Sequence, residues 1–150
     1  MSYLLDTNVL SELRKGSRCH PTVAAWYSGL PPEDLYLSAL TLGELRKGVE
    51  LVRRRDPVTA ERLDAWMQEV TVAHGERILG VDAEIAERWG RLNVPDPLPV
   101  VDGLLAATAL TYRLTLVTRN VGDIARTGVA WLDPFSLEEG GGSRAEAPTS

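Results

Sequence analysis

The stretch that most constrains this chain is Tyr3-Leu4-Leu5-Asp6-Thr7-Asn8-Val9-Leu10-Ser11-Glu12-Leu13, almost at its start. Tyr3, Leu4 and Leu5 form a short uncharged run, which reads as a fully buried strand. Thr7 and Asn8 are helix N-cap types, and Val9, Leu10 and Leu13 then recur at helical spacing. Asp6 therefore falls where a buried strand gives way to a helix. In open α/β folds that carboxyl edge of a parallel sheet is where ligands bind. Taken alone, Asp6 could equally be a cap favoured by the positive helix N-terminus.

The rest of the chain repeats the alternation. Pro21 to Leu30 carries Val23, Trp26, Tyr27 and Leu30 on one face, a short helix that Pro31-Pro32 ends. Leu35 to Leu40 reads as a second strand. Thr41 then opens a long helix with Leu42, Leu45, Val49 and Val52 along one side. The basic run Arg53-Arg54-Arg55 closes it as a solvated helix end, where cations complement the dipole. Beyond Asp56-Pro57 a further helix has Leu63, Trp66, Met67 and Val70 as its stripe. Ile78 to Val81 is a third strand, and Ile85, Trp89 and Leu92 mark the next helix. Trp26, Trp66 and Trp89 fit packing stripes, and His20 and His74 sit in polar contexts without partner spacing. Prolines 95, 97 and 99 stiffen the approach to Val100-Val101-Asp102. Gly103 to Leu110 is apolar nearly all round, as a buried helix is. Leu114 to Thr118 is a strand, Asn120 to Ala125 a turn or short helix, and Val129 to Leu132 a last strand. The organisation expected is one domain over 1–137 and a flexible tail over 138–150, Gly-, Ser- and Ala-rich from Gly140 onward. Strands alternating with helices predict an α/β fold, a mainly parallel sheet between helical layers.

Four acids fall at equivalent places on that scaffold. Asp6 follows the first strand, Glu44 lies in the first turn after the second, Asp102 starts the buried helix, and Asp123 follows Leu116-Val117-Thr118. In a parallel sheet these strand ends share one edge. Each acid has a plainer role available: Glu44 in a capping box with Thr41, Asp102 as an N-cap, Asp123 in a surface turn. Converging carboxylates would raise one another's pKa unless cations neutralise them. Hard oxygen donors, two histidines and a single cysteine point to magnesium or manganese.

Composition sets the outer bounds. The 150 residues suit one domain with a real core, and 44% hydrophobic with 25% charged is ordinary for a globular protein. Cys19 is the only cysteine, which excludes an intrachain disulfide and fits a reducing cytoplasm. No signal-like or membrane-length apolar stretch is visible, so no membrane association is expected. The net charge is −5, of which Glu138, Glu139, Glu146 and Arg144 account for two negative units. With four carboxylates covered by metal, the body would meet a polyanion nearly neutral, so charge does not exclude nucleic acid.

The blocks holding these acids, in order, are Leu5-Asp6-Thr7-Asn8-Val9-Leu10-Ser11-Glu12, Ser38 to Gly48, Leu98 to Ala109 and Leu116 to Ile124. Together they resemble PIN-domain ribonucleases, particularly the VapC-type toxins of type II toxin–antitoxin pairs, across about residues 1–135. The resemblance implies a PIN-like three-layer α/β/α sandwich. It implies that Asp6, Glu44, Asp102 and Asp123 hold divalent metal, with Thr7 and Asn8 orienting Asp6 and with Thr118 and Asn120 supporting the far side. Gly122 stands where many relatives carry a polar side chain and Ile124 where an aromatic is common, which predicts a looser Asp123 whose work Asn120 shares. The implied activity is metal-dependent RNA hydrolysis leaving 5′-phosphate and 3′-hydroxyl ends. The implied partners are a VapB-type antitoxin, an RNA substrate and a second copy in a homodimer. Two rivals remain at this level: a PIN fold kept only for binding or dimerisation, and an aspartyl phosphoacceptor. The second fits poorly, because Asn8 stands where a phosphatase wants a second Asp and no lysine follows the late strand.

Overall fold

The structure, a computed structural model, describes residues 1–142. Six strands form one sheet: β1 (Tyr3–Leu5), β2 (Leu35–Ser38), β3 (Ile78–Leu79), β4 (Thr115–Val117), β5 (Trp131–Asp133) and β6 (Glu138–Gly140). Their spatial order is β3-β2-β1-β4-β5-β6, with every pairing parallel except β5 with β6. The helices are α1 (Thr7–Leu13), α2 (Pro21–Ser28), α3 (Ala39–Arg53), α4 (Pro57–His74), α5 (Ala83–Leu92), α6 (Val100–Tyr112) and the single turn α7 (Val121–Ile124).

Strand alternation divides the core in two. Leu5 and Val117 face one side, where they join Val9 and Leu10 of α1, Leu45 and Val49 of α3, and Ala60, Met67 and Val70 of α4. Leu4 and Leu116 face the other, against Leu105, Ala106 and Ala109 of α6, Ile124 and Val129. The chain is thus the expected α/β/α sandwich. The order of connections reverses at β1: β2 and β3 are laid down on one side of it, β4 and β5 on the other. A crevice opens at the carboxyl end of such a switch point, and Asp6 follows β1 there. Among the described residues no helix is long and apolar enough to cross a membrane.

Two expectations need correction. The long helix does not open at Thr41. Ser38 is its N-cap, its hydroxyl accepting from the Leu40 N–H at 3.1 Å, so Thr41 lies fully buried inside the helix and makes no capping box with Glu44. The sequence offered two hydroxyls three residues apart, and strand pairing to Leu79 decided between them by holding Ser38 extended. The second correction concerns the tail. Its first residues form β6, paired with β5 from Asp133↔Glu138 to Trp131↔Gly140. The glycines there answer to close approach rather than to looseness: a Cβ on Gly140 would stand 2.8 Å from the Trp131 ring. Gly141 has φ +64° with the Val129 carbonyl oxygen 2.0 Å from where its Cβ would be. The remainder of the expected tail, 143–150, lies outside the described residues.

Candidate active site

Asp6 is the centre of the site. It is 6% exposed, and its backbone N–H donates to the Val117 carbonyl at 2.9 Å, which locks the end of β1 to the end of β4. One carboxylate oxygen accepts from the Thr7 N–H at 2.7 Å. The other accepts from the Thr118 hydroxyl at 2.7 Å and from Asn8 Nδ2 at 3.2 Å. Asp6 does cap α1, as the plainer reading held. Burial raises its pKa, and the charge of Glu44 adds to that; the bonds from Thr118, Thr7 and Asn8 act in the opposite direction.

The supporting residues form a chain of contacts. The Thr7 hydroxyl donates to Glu44 Oε1 at 2.5 Å, bridging α1 to α3. The Thr118 hydroxyl receives the Asn120 backbone N–H at 3.0 Å, and Asn8 Oδ1 receives the Arg119 N–H at 3.3 Å. Asn120 contributes through its backbone, at the start of α7. Asp123 lies within that turn and is exposed, while its neighbour Ile124 is buried in the second core.

Asp102 sits in the first turn of α6, at the third residue of the helix, half-buried. Its pKa is raised, first by burial and then by the charges of Asp6, Asp123 and Glu44. All four acids therefore act electrostatically on one place, although they come from four separate segments. Oxygen donors alone, mutual repulsion and a buried central carboxylate fit a hard divalent cation. Among the described residues no three Asp, Glu, His or Cys side chains stand close enough together to hold a metal ion as they are placed.

The PIN-domain family profile matches residues 3–129 of this chain. The chain belongs to the PIN-domain family. It is 35% identical over 139 residues to Toxin FitB of Neisseria gonorrhoeae, covering 88% of this chain and 97% of that one. It is 31% identical over 139 residues to the VapC ribonuclease Y4jK of Sinorhizobium fredii, covering 88% and 96%. The solved structure of FitAB bound to an IR36 DNA fragment superposes with a TM-score of 0.82 at 32% identity, over 91% of this PIN chain and 97% of that chain.

Sequence reasoning gave Arg119 and Phe135 no part and left His20 without a partner, yet Arg119 and His20 both rest on the Phe135 ring. Residues 20 and 135 lie at opposite ends of the chain, and no periodic pattern marks them. Elsewhere the plainer readings stand. Trp26 packs edge-on against Tyr3, and Arg53 pairs with Glu50, Glu61 and Asp64 between α3 and α4.

Proposed function

We propose that this PIN domain is a divalent-metal-dependent endoribonuclease and the toxin of a toxin–antitoxin pair. The observation that carries the reading is the convergence of three carboxylates, Asp6, Asp123 and Glu44, on a fourth, Asp102, beside the bonded and buried Asp6 at the sheet's switch point, in a fold whose relatives include a named VapC ribonuclease. Asp6, Glu44, Asp102 and Asp123 would hold the ion, magnesium or manganese by their oxygen chemistry. When bound, such an ion supplies the charge that activates water and neutralises a phosphodiester under attack. The protein's own part is positioning. Thr118, Asn8 and the Thr7 N–H fix both oxygens of Asp6, and the Thr7 hydroxyl fixes Glu44. None of the four carboxylates is needed as a covalent nucleophile. Attack by water rather than by the ribose 2′-hydroxyl leaves a 5′-phosphate and a 3′-hydroxyl.

A nuclease of this kind harms its own cell, so a cognate VapB-type antitoxin laid over the acidic pocket belongs to the same proposal, as does a homodimer. Cys19, a free thiol, is compatible with the reducing cytoplasm where RNA would be met. The test is direct. Purified partner-free protein should cut structured RNA in magnesium or manganese, stop on adding chelator, and yield 5′-phosphate ends. Undiminished cutting in excess EDTA would sink the metal mechanism. No cutting with either metal would leave a PIN fold serving binding alone.

A further inference from the structure

Phe135, the only phenylalanine in the chain, occupies the turn between β5 and β6. Its N–H is held by Asp133 Oδ1 at 2.9 Å, and Leu137 N–H closes the turn on the Asp133 carbonyl at 2.8 Å. Two groups rest on its ring. The Arg119 guanidinium carbon lies 4.3 Å from the ring centroid, and the His20 imidazole meets the ring edge-on at 5.4 Å and 67°. Arg119 directly follows Thr118, the residue bonded to Asp6, and its own N–H is tied to Asn8.

Charge separates Arg119 from Arg46 and Arg53, while Arg77 and Arg126, also without a carboxylate partner, have their guanidinium groups bonded to backbone carbonyls. Arg46 and Arg53 are neutralised by Glu50, Asp64 and, for Arg53, Glu61. Arg119 is exposed, and among the described residues no carboxylate lies within ion-pair distance of it. A weakly hydrated planar cation, held over an aromatic ring and left without a counter-charge, is pre-organised to grip an anion bidentately. Because the aromatic ring restricts it in advance, less freedom is lost on binding. Its backbone N–H is bonded to Asn8, whose side chain also bonds Asp6, so Arg119 springs from the loop that supports the acidic site.

Resting on the ribonuclease reading, we propose that Arg119 anchors a backbone phosphate of the RNA strand flanking the phosphate to be cleaved. Phe135 is then a positioning residue, acting through Arg119, and His20 braces the ring from its edge. An acidic segment of a protein partner is the competing occupant. It is less suited, because it would carry its carboxylates alongside Asp6, Asp102 and Asp123.

The test is cleavage of an RNA hairpin with an unpaired loop, in magnesium over a potassium chloride series. It compares wild type, Arg119→Ala, Arg119→Lys and Phe135→Leu, with thermal melts beside each. Arg119→Ala should lower kcat/KM by about tenfold, chiefly through KM, as expected for losing one charge-assisted contact. The dependence of log kcat/KM on log salt should become shallower by about 0.7, the contribution of one single-strand phosphate contact. Arg119→Lys and Phe135→Leu keep a cation and should keep the wild-type salt slope while raising KM. Those two variants also decide the matter should Arg119→Ala fold poorly. Wild-type KM and salt slope in Arg119→Ala would overturn the anchor while leaving the ribonuclease reading intact. A wild type that cuts no RNA overturns both. An Arg119→Ala protein that cuts normally but no longer holds a coexpressed antitoxin would assign the surface to that partner, against the proposal.

Discussion

Taking a carboxylate to 6% exposure normally drives it to keep its proton, and Asp6 meets that pull with donors on both oxygens. Thr118→Val removes one donor at constant shape. The folded-state pKa of Asp6 should rise further, moving the acid limb of the cleavage profile to higher pH. Stability at about pH 7 should fall by ~1.5–3 kcal/mol, the scale of a hydrogen bond to a charged group. That loss should shrink as the pH is lowered towards the ordinary carboxylate range, where a protonated Asp6 no longer needs the donor; a pH-independent loss would contradict the assignment. Asp102 invites the opposite experiment. Its pKa is raised in the folded state, so ionising it costs stability that appears as pH rises from about 4. In EDTA, Asp102→Asn should match wild type at low pH and become the more stable protein towards neutrality, by ~0.5–2 kcal/mol, while losing most cleavage. Asp6→Asn should lose cleavage as well but without that gain in stability, because its amide NH2 would face donors that the carboxylate accepts from. Magnesium should stabilise wild type more than either variant, since a ligand bound only by the folded state shifts its melting. An Asp102→Asn protein that cuts RNA at the wild-type rate would remove Asp102 from the site.

At the level of elements, the β5–β6 hairpin makes the clearest prediction. Gly141→Ala meets both a positive φ and the Val129 carbonyl, so it should destabilise by at least ~1–3 kcal/mol. Gly48→Ala, in α3 with open space at its Cβ, should instead stabilise by up to about 1 kcal/mol. Equal effects in denaturant melts would mean that the glycines of 140–142 are not required where they stand. The same hairpin shows why sequence reading stops where it does. The strands β1 and β4 were legible because buried parallel strands are apolar runs, and the acids were legible because each follows such a run. Strand β6 is Glu-Glu-Gly, polar and exposed at the sheet's edge, and nothing local distinguishes it from a tail. Ser38 displaced Thr41 as the cap of α3 for a related reason, since strand length was set by a neighbouring strand rather than by the residues themselves. The contact of Arg119 with Phe135 depends on that edge hairpin, so it was hidden with it.

At the scale of the whole molecule, the pocket has no local version. Asp6 takes its hydroxyl donor from Thr118, 112 residues later, and β1 is flanked on one side by a strand made early and on the other by β4, made late. Until β4 inserts beside β1, Asp6 lacks both the Thr118 bond and the Val117 carbonyl that holds its backbone. Loop closure over that span must come before the site exists. On the nuclease reading, a chain that is dangerous when finished should be harmless while being translated. Chains arrested on the ribosome before β4 emerges should cut no RNA and leave translation running, whereas full-length chains released without a partner should cut. Cleavage by the arrested chains would show that the first three acids suffice. On the proposed function, the order of synthesis would thus give the cell an interval in which an antitoxin can be waiting before the first complete nuclease folds.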